Sequence, residues 1–111
     1  MNVTFNVLDG IGVVRIEGSI DGKTAPVARE KIQPAIESKL NVLLDMTAVN
    51  YLSSAGLRFL LLVHREIGTQ GNKVVLVGVS DDIAQVMSHT GFLPFFTLVP
   101  SEAEAFPALQ P

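Results

Sequence analysis

From Val3 to Leu8 apolar and polar residues alternate, Val3, Phe5 and Val7 against Thr4 and Asn6. That period of two predicts a strand with one buried face. Asp9-Gly10 has the composition of a two-residue hairpin turn, and Ile11 to Glu17 returns as the antiparallel partner, rich in β-branched Val13, Val14 and Ile16. Gly18 to Lys23 reads as a loop. Thr24 is placed to cap a helix reaching about Leu40, with Ala28, Ile32, Ala35 and Ile36 at helical spacing. Pro34 inside that span predicts a kink or an end to its first half. Asn41 to Met46 has almost no polar alternation, as expected of a central strand covered on both faces.

After a connecting stretch, the strongest helical pattern runs from Ser54 to about Thr69. Leu57, Leu60, Leu61, His64 and Ile67 share one stripe, and Gly71 supplies the stop. Phe59, Leu62 and Val63 lie off that stripe, as do Phe92, Leu93, Phe95 and Phe96 later on. They pack either under neighbouring helices or in a partner or dimer patch. Lys73 to Val77 is another buried strand, and Ser80-Asp81-Asp82 caps a helix through about Thr90, closed by Gly91. Thr97 to Val99 forms a last short strand. Ser101 and Glu104 make a capping box that opens a C-terminal helix.

The order is therefore β-β-α-β-α-β-α-β-α. Helix crossovers force the strands after the hairpin to run parallel. The expected fold is α/β: one domain over residues 1–111, with a mixed sheet of about five strands and about four helices packed on it.

Composition narrows the function. A length of 111 residues fits one core. With 48% hydrophobic and 17% charged residues, the chain is too apolar for disorder. A net charge of −3 offers no basic footprint for a phosphate backbone, which argues against a nucleic-acid partner. The chain has no cysteine, so disulfide, thiolate and cysteine-ligated zinc chemistry are excluded. The opening MNVTFNVLDG lacks the features of a signal peptide, and the longest apolar run, Phe59 to Val63, is far short of the roughly 18 residues a membrane span needs. A soluble, cytoplasmic protein without direct membrane insertion is expected.

Enzymatic motifs fail one by one. Gly22-Lys23-Thr24 matches only the tail of a phosphate-binding loop, because Glu17 stands where its first glycine belongs, and no G-x-G-x-x-G is present. A receiver domain needs paired acids after its first strand and a lysine after its last; Asp9 is alone and no lysine follows Val99. Ser54 and His64 lie ten residues apart on one helix, about 15 Å, against the roughly 3 Å that proton transfer requires. His64 is expected to pack in the core and His89 to sit favourably at a helix C-terminus. Neither forms a metal set, so no metal, no cofactor and no catalysis is expected.

What remains is Asn41 to Val63. A buried strand ends in Asp45, a short loop ends in Tyr51-Leu52, and Ser53-Ser54 opens a strongly apolar helix. Free amides and the positive end of the helix dipole favour an anion at such a start, so a serine there is a cap, a phosphorylation site, or both. Gly56 costs that helix about 1 kcal/mol relative to alanine, which implies a packing or contact reason. Asp45 either contributes to the same region or orders the loop after it.

The element order and the run LLDMTAVNYLSSAGLRFLLLV resemble a STAS domain of the anti-sigma factor antagonist type, as does DGKTAP at Asp21 to Pro26. The resemblance covers nearly the whole chain. It implies a non-enzymatic protein whose partner is both an anti-sigma factor and an ATP-dependent serine kinase. The unphosphorylated form binds that partner and frees the sigma factor; phosphorylation at the start of this helix ends binding, and a serine phosphatase resets the switch. The best-known family pattern is D-S-[ST]-G-L. In that pattern the acceptor hydroxyl directly precedes the glycine; here Ala55 stands in that place, with Ser53 at the aspartate position and Ser54 next. The SSAGL form, which also resembles the family, implies a serine of the pair as acceptor, Ser54 and then Ser53. Partner contacts are expected at Asp21, Lys23, Thr24, Ser53, Ser54, Ala55, Gly56 and Arg58. The same fold also serves as a subunit of membrane-transport ATPase assemblies and in kinase- and phosphatase-controlled regulators of motility or biofilm signalling. A small-molecule or lipid sensor would require a roomy apolar cavity, which nothing in the sequence indicates.

Overall fold

Asp9 and Gly10 both take positive φ, +53° and +74°, the left-handed backbone of a tight hairpin turn. They fold β1 (Asn2–Leu8) antiparallel onto β2 (Ile11–Ile20), with Leu8 opposite Ile11. A computed structural model describes residues 1–110 of the chain. β3 (Val42–Leu52), β4 (Val74–Val77) and β5 (Thr97–Val99) follow, each parallel to the strand before it, so the five-stranded sheet runs β1-β2-β3-β4-β5. The expected mixed sheet and element order are both present.

The helices are α1 (Ala25–Glu37), α2 (Ser54–Thr69), α3 (Asp81–His89) and α4 (Glu102–Leu109), with a short 3₁₀ turn at Leu93–Phe95. α1, α2 and α3 cover one face of the sheet, over a core including Val14, Ile16, Ile32, Leu44, Met46, Leu60, Ile67 and Met87. α4 covers the other face, above Ile11, Val13, Leu43, Val75 and Val77. β3 is central and sends Val42, Leu44 and Met46 to one core and Leu43 to the other, which is why its sequence shows no polar alternation.

Four expectations need correction. The loop expected at Gly18 is strand, and so is the connecting stretch expected after Met46: β2 runs on to Ile20 and β3 to Leu52. β4 pairs with β3 only as far as Asp45, so the far halves of β2 and β3 form a two-stranded extension, with register shifts between Arg15 and Glu17 and between Gly18 and Ser19. Bulges of this kind break the period of two that identifies a strand in sequence. α1 ends at Glu37 rather than near Leu40, and it continues through Pro34. Pro34 faces solvent, so the carbonyl it leaves unpaired is not stranded in the core.

The buried stripe of α2 is rotated from the expected one: Phe59 and Val63 are buried with Leu57, Leu60 and Ile67, while Leu61 and His64 are half-buried. Packing of α2 against α1 as well as the sheet widens the buried arc. His64 meets Phe96 edge-to-face at 5.5 Å. Leu62 remains 42% exposed and Phe95 59%.

Candidate functional site at the start of the second sheet-covering helix

Ile20 and Leu52 are register partners at the ends of β2 and β3, so the residues that follow them leave the sheet side by side. The Ser53 N–H donates to the Ile20 carbonyl at 2.9 Å, joining the start of α2 to the end of β2. Parallel strands point their carboxyl ends the same way, and the shared end of β2 and β3 is where both serines and the Asp21–Thr24 turn gather.

That turn is built by reciprocal side-chain bonds. Asp21 Oδ1 accepts the N–H groups of Lys23 at 2.9 Å and Thr24 at 3.0 Å, while Thr24 Oγ1 accepts the Asp21 N–H at 2.9 Å and donates to the Ser19 carbonyl at 2.7 Å. Thr24 is already helical and makes no side-chain cap, so the capping role expected of it falls on Asp21. The D-x-x-T spacing is a capping box, and it is the sequence signal that would have located this start.

The bonds from Thr24 and Lys23 hold the Asp21 carboxyl below the usual aspartate range. A depressed folded pKa contributes stability above the unfolded value, about 3.9, that is lost as pH falls through the folded one. The thermal midpoint is therefore expected to drop below about pH 4. Asp21→Asn keeps an acceptor oxygen without the charge and should flatten part of that acid limb. An unchanged acid limb would show that this carboxylate is not linked to folding.

Ser53 occupies the N-cap of α2 with extended backbone, and its Oγ accepts the Gly56 N–H at 3.2 Å. Ser54, the first helical residue, is exposed, and its hydroxyl takes part in no side-chain hydrogen bond among the described residues. The spacing S-S-A-G thus separates one serine that caps from one that is free. Ala55 is half-buried. Gly56 is buried beneath them: a Cβ there would strike the Ile20 carbonyl oxygen and lie 2.7 Å from Leu52 Cδ1. Gly56 thus lets α2 sit directly on the end of β2.

Arg58 is exposed one turn below Ser54 and borders two open grooves. One, of about 330 Å³, lies between α1 and α2 and is lined by Gly22, Ala25, Pro26, Arg29, Ala55, Arg58, Phe59 and Leu62. The other, of about 280 Å³, lies toward α3 and is lined by Ser54, Leu57, Arg58, Leu61, Val86, Thr90 and Phe92. Both are surface grooves rather than ligand chambers. Lys23 is exposed on the turn, and Tyr51, 55% exposed, stands on β3 two residues before Ser53. Arg29 carries no signal in the sequence, because α1 and α2 meet only after folding, whereas Phe59, expected either under a neighbouring helix or in a patch, is buried where the two helices pack.

Asp45 is not at this end. It points to the α4 face, beside Arg15, whose Nε and Nη2 hold Glu102 at 2.8 Å each, and its own Oδ1 accepts the Thr47 N–H at 2.9 Å. Burial pushes the Asp45 carboxyl up, but Glu102, Thr47 and the Arg15 charge outweigh it and leave it below the usual range. Of its two expected roles, ordering the stretch that follows is the one present.

Among the described residues no group of His, Asp and Glu is placed to hold a metal ion, and no helix is long and apolar enough to cross a membrane. The STAS domain model matches residues 2–105. The chain belongs to the STAS domain family. This STAS domain is 31% identical over 78 residues to the anti-sigma-B factor antagonist of Bacillus subtilis, covering 70% of this chain and 72% of that one. It is also similar to the crystal structure of an anti-sigma factor antagonist from Mycobacterium paratuberculosis, with a TM-score of 0.87, 26% identity and coverage of 97% of this chain and 92% of that chain. SpoIIAA in its unphosphorylated form shares the fold, with a TM-score of 0.78 at 20% identity over 96% of this chain and 95% of its own.

Proposed function

We propose that this STAS domain is an anti-sigma factor antagonist, and that phosphorylation of Ser54 switches its binding off. The anti-sigma factor antagonists among its relatives support the first part. The difference between the two serines carries the second: the Ser53 hydroxyl is spent on the helix cap, whereas the Ser54 hydroxyl is exposed at the mouth of a groove. The partner is an anti-sigma factor that is also an ATP-binding serine kinase, and a serine phosphatase restores the active form. The Ser54 Oγ takes the γ-phosphoryl group of ATP and releases ADP.

Binding of the unmodified form would use the Asp21–Thr24 turn, Ser54, Ala55 and Arg58, with the apolar groove beside them. A phosphate adds a charge of about −1.5 to −2 at neutral pH. On the free domain it lies near helix amides and Arg58; within a close-packed interface it is desolvated against the partner.

Incubation with the anti-sigma kinase and ATP, followed by mass spectrometry of the phosphopeptide, tests the assignment. Ser54→Ala is expected to bind the kinase and accept no phosphate. Ser53→Ala is expected to accept it while losing about 1 kcal/mol of stability with its cap. Phosphate on Ser53, or a kinase that ignores both variants and the parent alike, would overturn this reading.

A further inference from the structure

The two edges of the sheet are unlike. β5 is three residues long, follows a 3₁₀ turn containing Pro94 and is ended by Pro100, so it offers little to an incoming strand. β1 is seven residues long, NVTFNVL, and pairs only with β2. It carries no charged residue and no proline and keeps an unbroken register with β2, and α1 packs over one of its faces. Its alternate residues also differ in cover. Val3 and Phe5 are half-buried against the larger core, but Val7 is 52% exposed, because its neighbour on β2 is Gly12, which has no side chain to meet it.

We infer that this edge pairs with the β1 edge of a second copy of the chain, antiparallel about Phe5, making one sheet of ten strands. The occupant follows from symmetry. A two-fold axis perpendicular to the sheet keeps each face on its own side, so each residue must meet one of the same parity. Centred on Phe5, the pairing engages the whole strand: Val3 meets Val7, Thr4 meets Asn6, and Asn2 meets Leu8 of the other copy. Like faces like at the apolar positions Val3, Phe5 and Val7, Thr4 meets Asn6 on the other side with Asn2 and Leu8 at the ends, and no charge of the strand is brought to the seam. Val7 gains beside it the apolar neighbour that Gly12 does not provide. Both α1 helices stay on the same face. A single strand pair is small beside the roughly 1,600 Å² of a standard interface, so the association is weak and reversible. It does not depend on the function of Ser54, which lies at the far end of β2 and β3.

Sedimentation velocity from low micromolar to several hundred micromolar protein tests it. The parent chain is expected to pass from monomer to dimer across that range and form nothing larger. Thr4→Lys/Asn6→Lys and Thr4→Glu/Asn6→Glu, both at exposed positions, are each expected to melt like the parent and remain monomeric, because position 4 then meets its like charge at position 6. Mixing the two variants should restore a one-to-one dimer. A parent that stays monomeric, aggregates beyond dimer, or dimerises equally well in each charged variant overturns the inference. So does a mixture that fails to associate, since the register would then be wrong.

Discussion

Gly56→Ala is expected to destabilise the domain by about 3 kcal/mol, read as a lower urea midpoint with an unchanged slope. Helix propensity alone predicts the opposite sign, a gain of about 1 kcal/mol. Steric contact decides. The added methyl would overlap the Ile20 carbonyl oxygen and come within 3.0 Å of the Ile20 carbonyl carbon. That carbonyl belongs to a strand held in the sheet and receives the Ser53 N–H, so it cannot retreat without loosening the end of β2 from β3. Leu52, the other neighbour, is itself buried. A loss of this size is a large part of the roughly 5–15 kcal/mol typical of a domain. Gly68→Ala, in the same helix with nothing within 4 Å of its added Cβ, is the control and should be neutral or stabilising. If the two substitutions behave alike, close approach does not govern the start of α2.

Phosphorylation of Ser54 is expected to weaken partner binding at least 100-fold, about 2.7 kcal/mol, while leaving the melting temperature unchanged or slightly raised. Two effects of opposite sign are separated by their size. Within the free domain the phosphate faces the N-terminus of α2 and sits one turn from Arg58, an arrangement worth about 0.3–1 kcal/mol in its favour. At an interface the same charge, buried without a partner, costs about 3–5 kcal/mol. Titration calorimetry of the phosphorylated and unmodified forms, beside their thermal melts, measures both. A phosphorylated protein that melts far below the unmodified one would mean that the switch acts by unfolding, and one that binds equally tightly would mean that Ser54 lies outside the interface.

Local physics made much of this molecule legible. The Asp9-Gly10 turn, the double burial of Val42 to Met46 and the caps at Ser53, Ser80 and Ser101 each depend on neighbours a few residues away, and each is found as expected. Those elements, in order, determine a mixed sheet with helical crossovers, and the SSAGL run at a helix start already marked the residues now proposed as the switch. What depended on distant residues was not legible. The far halves of β2 and β3 are strands only because they pair with each other through bulges that scramble the period. Asp45, though close to the serines in sequence, is carried by strand alternation to the α4 face, where Arg15 pairs with Glu102 beside it and its own carboxylate accepts the Thr47 N–H. Phe59 is buried because α1 packs on α2, and Gly56 is required because β2 ends beneath it. The sequence by itself determined the elements, their order and the identity of the helix start; only the tertiary structure decided which serine caps and which is free, and what lies beside them, because contacts between distant segments form only when the sheet brings its strand ends together.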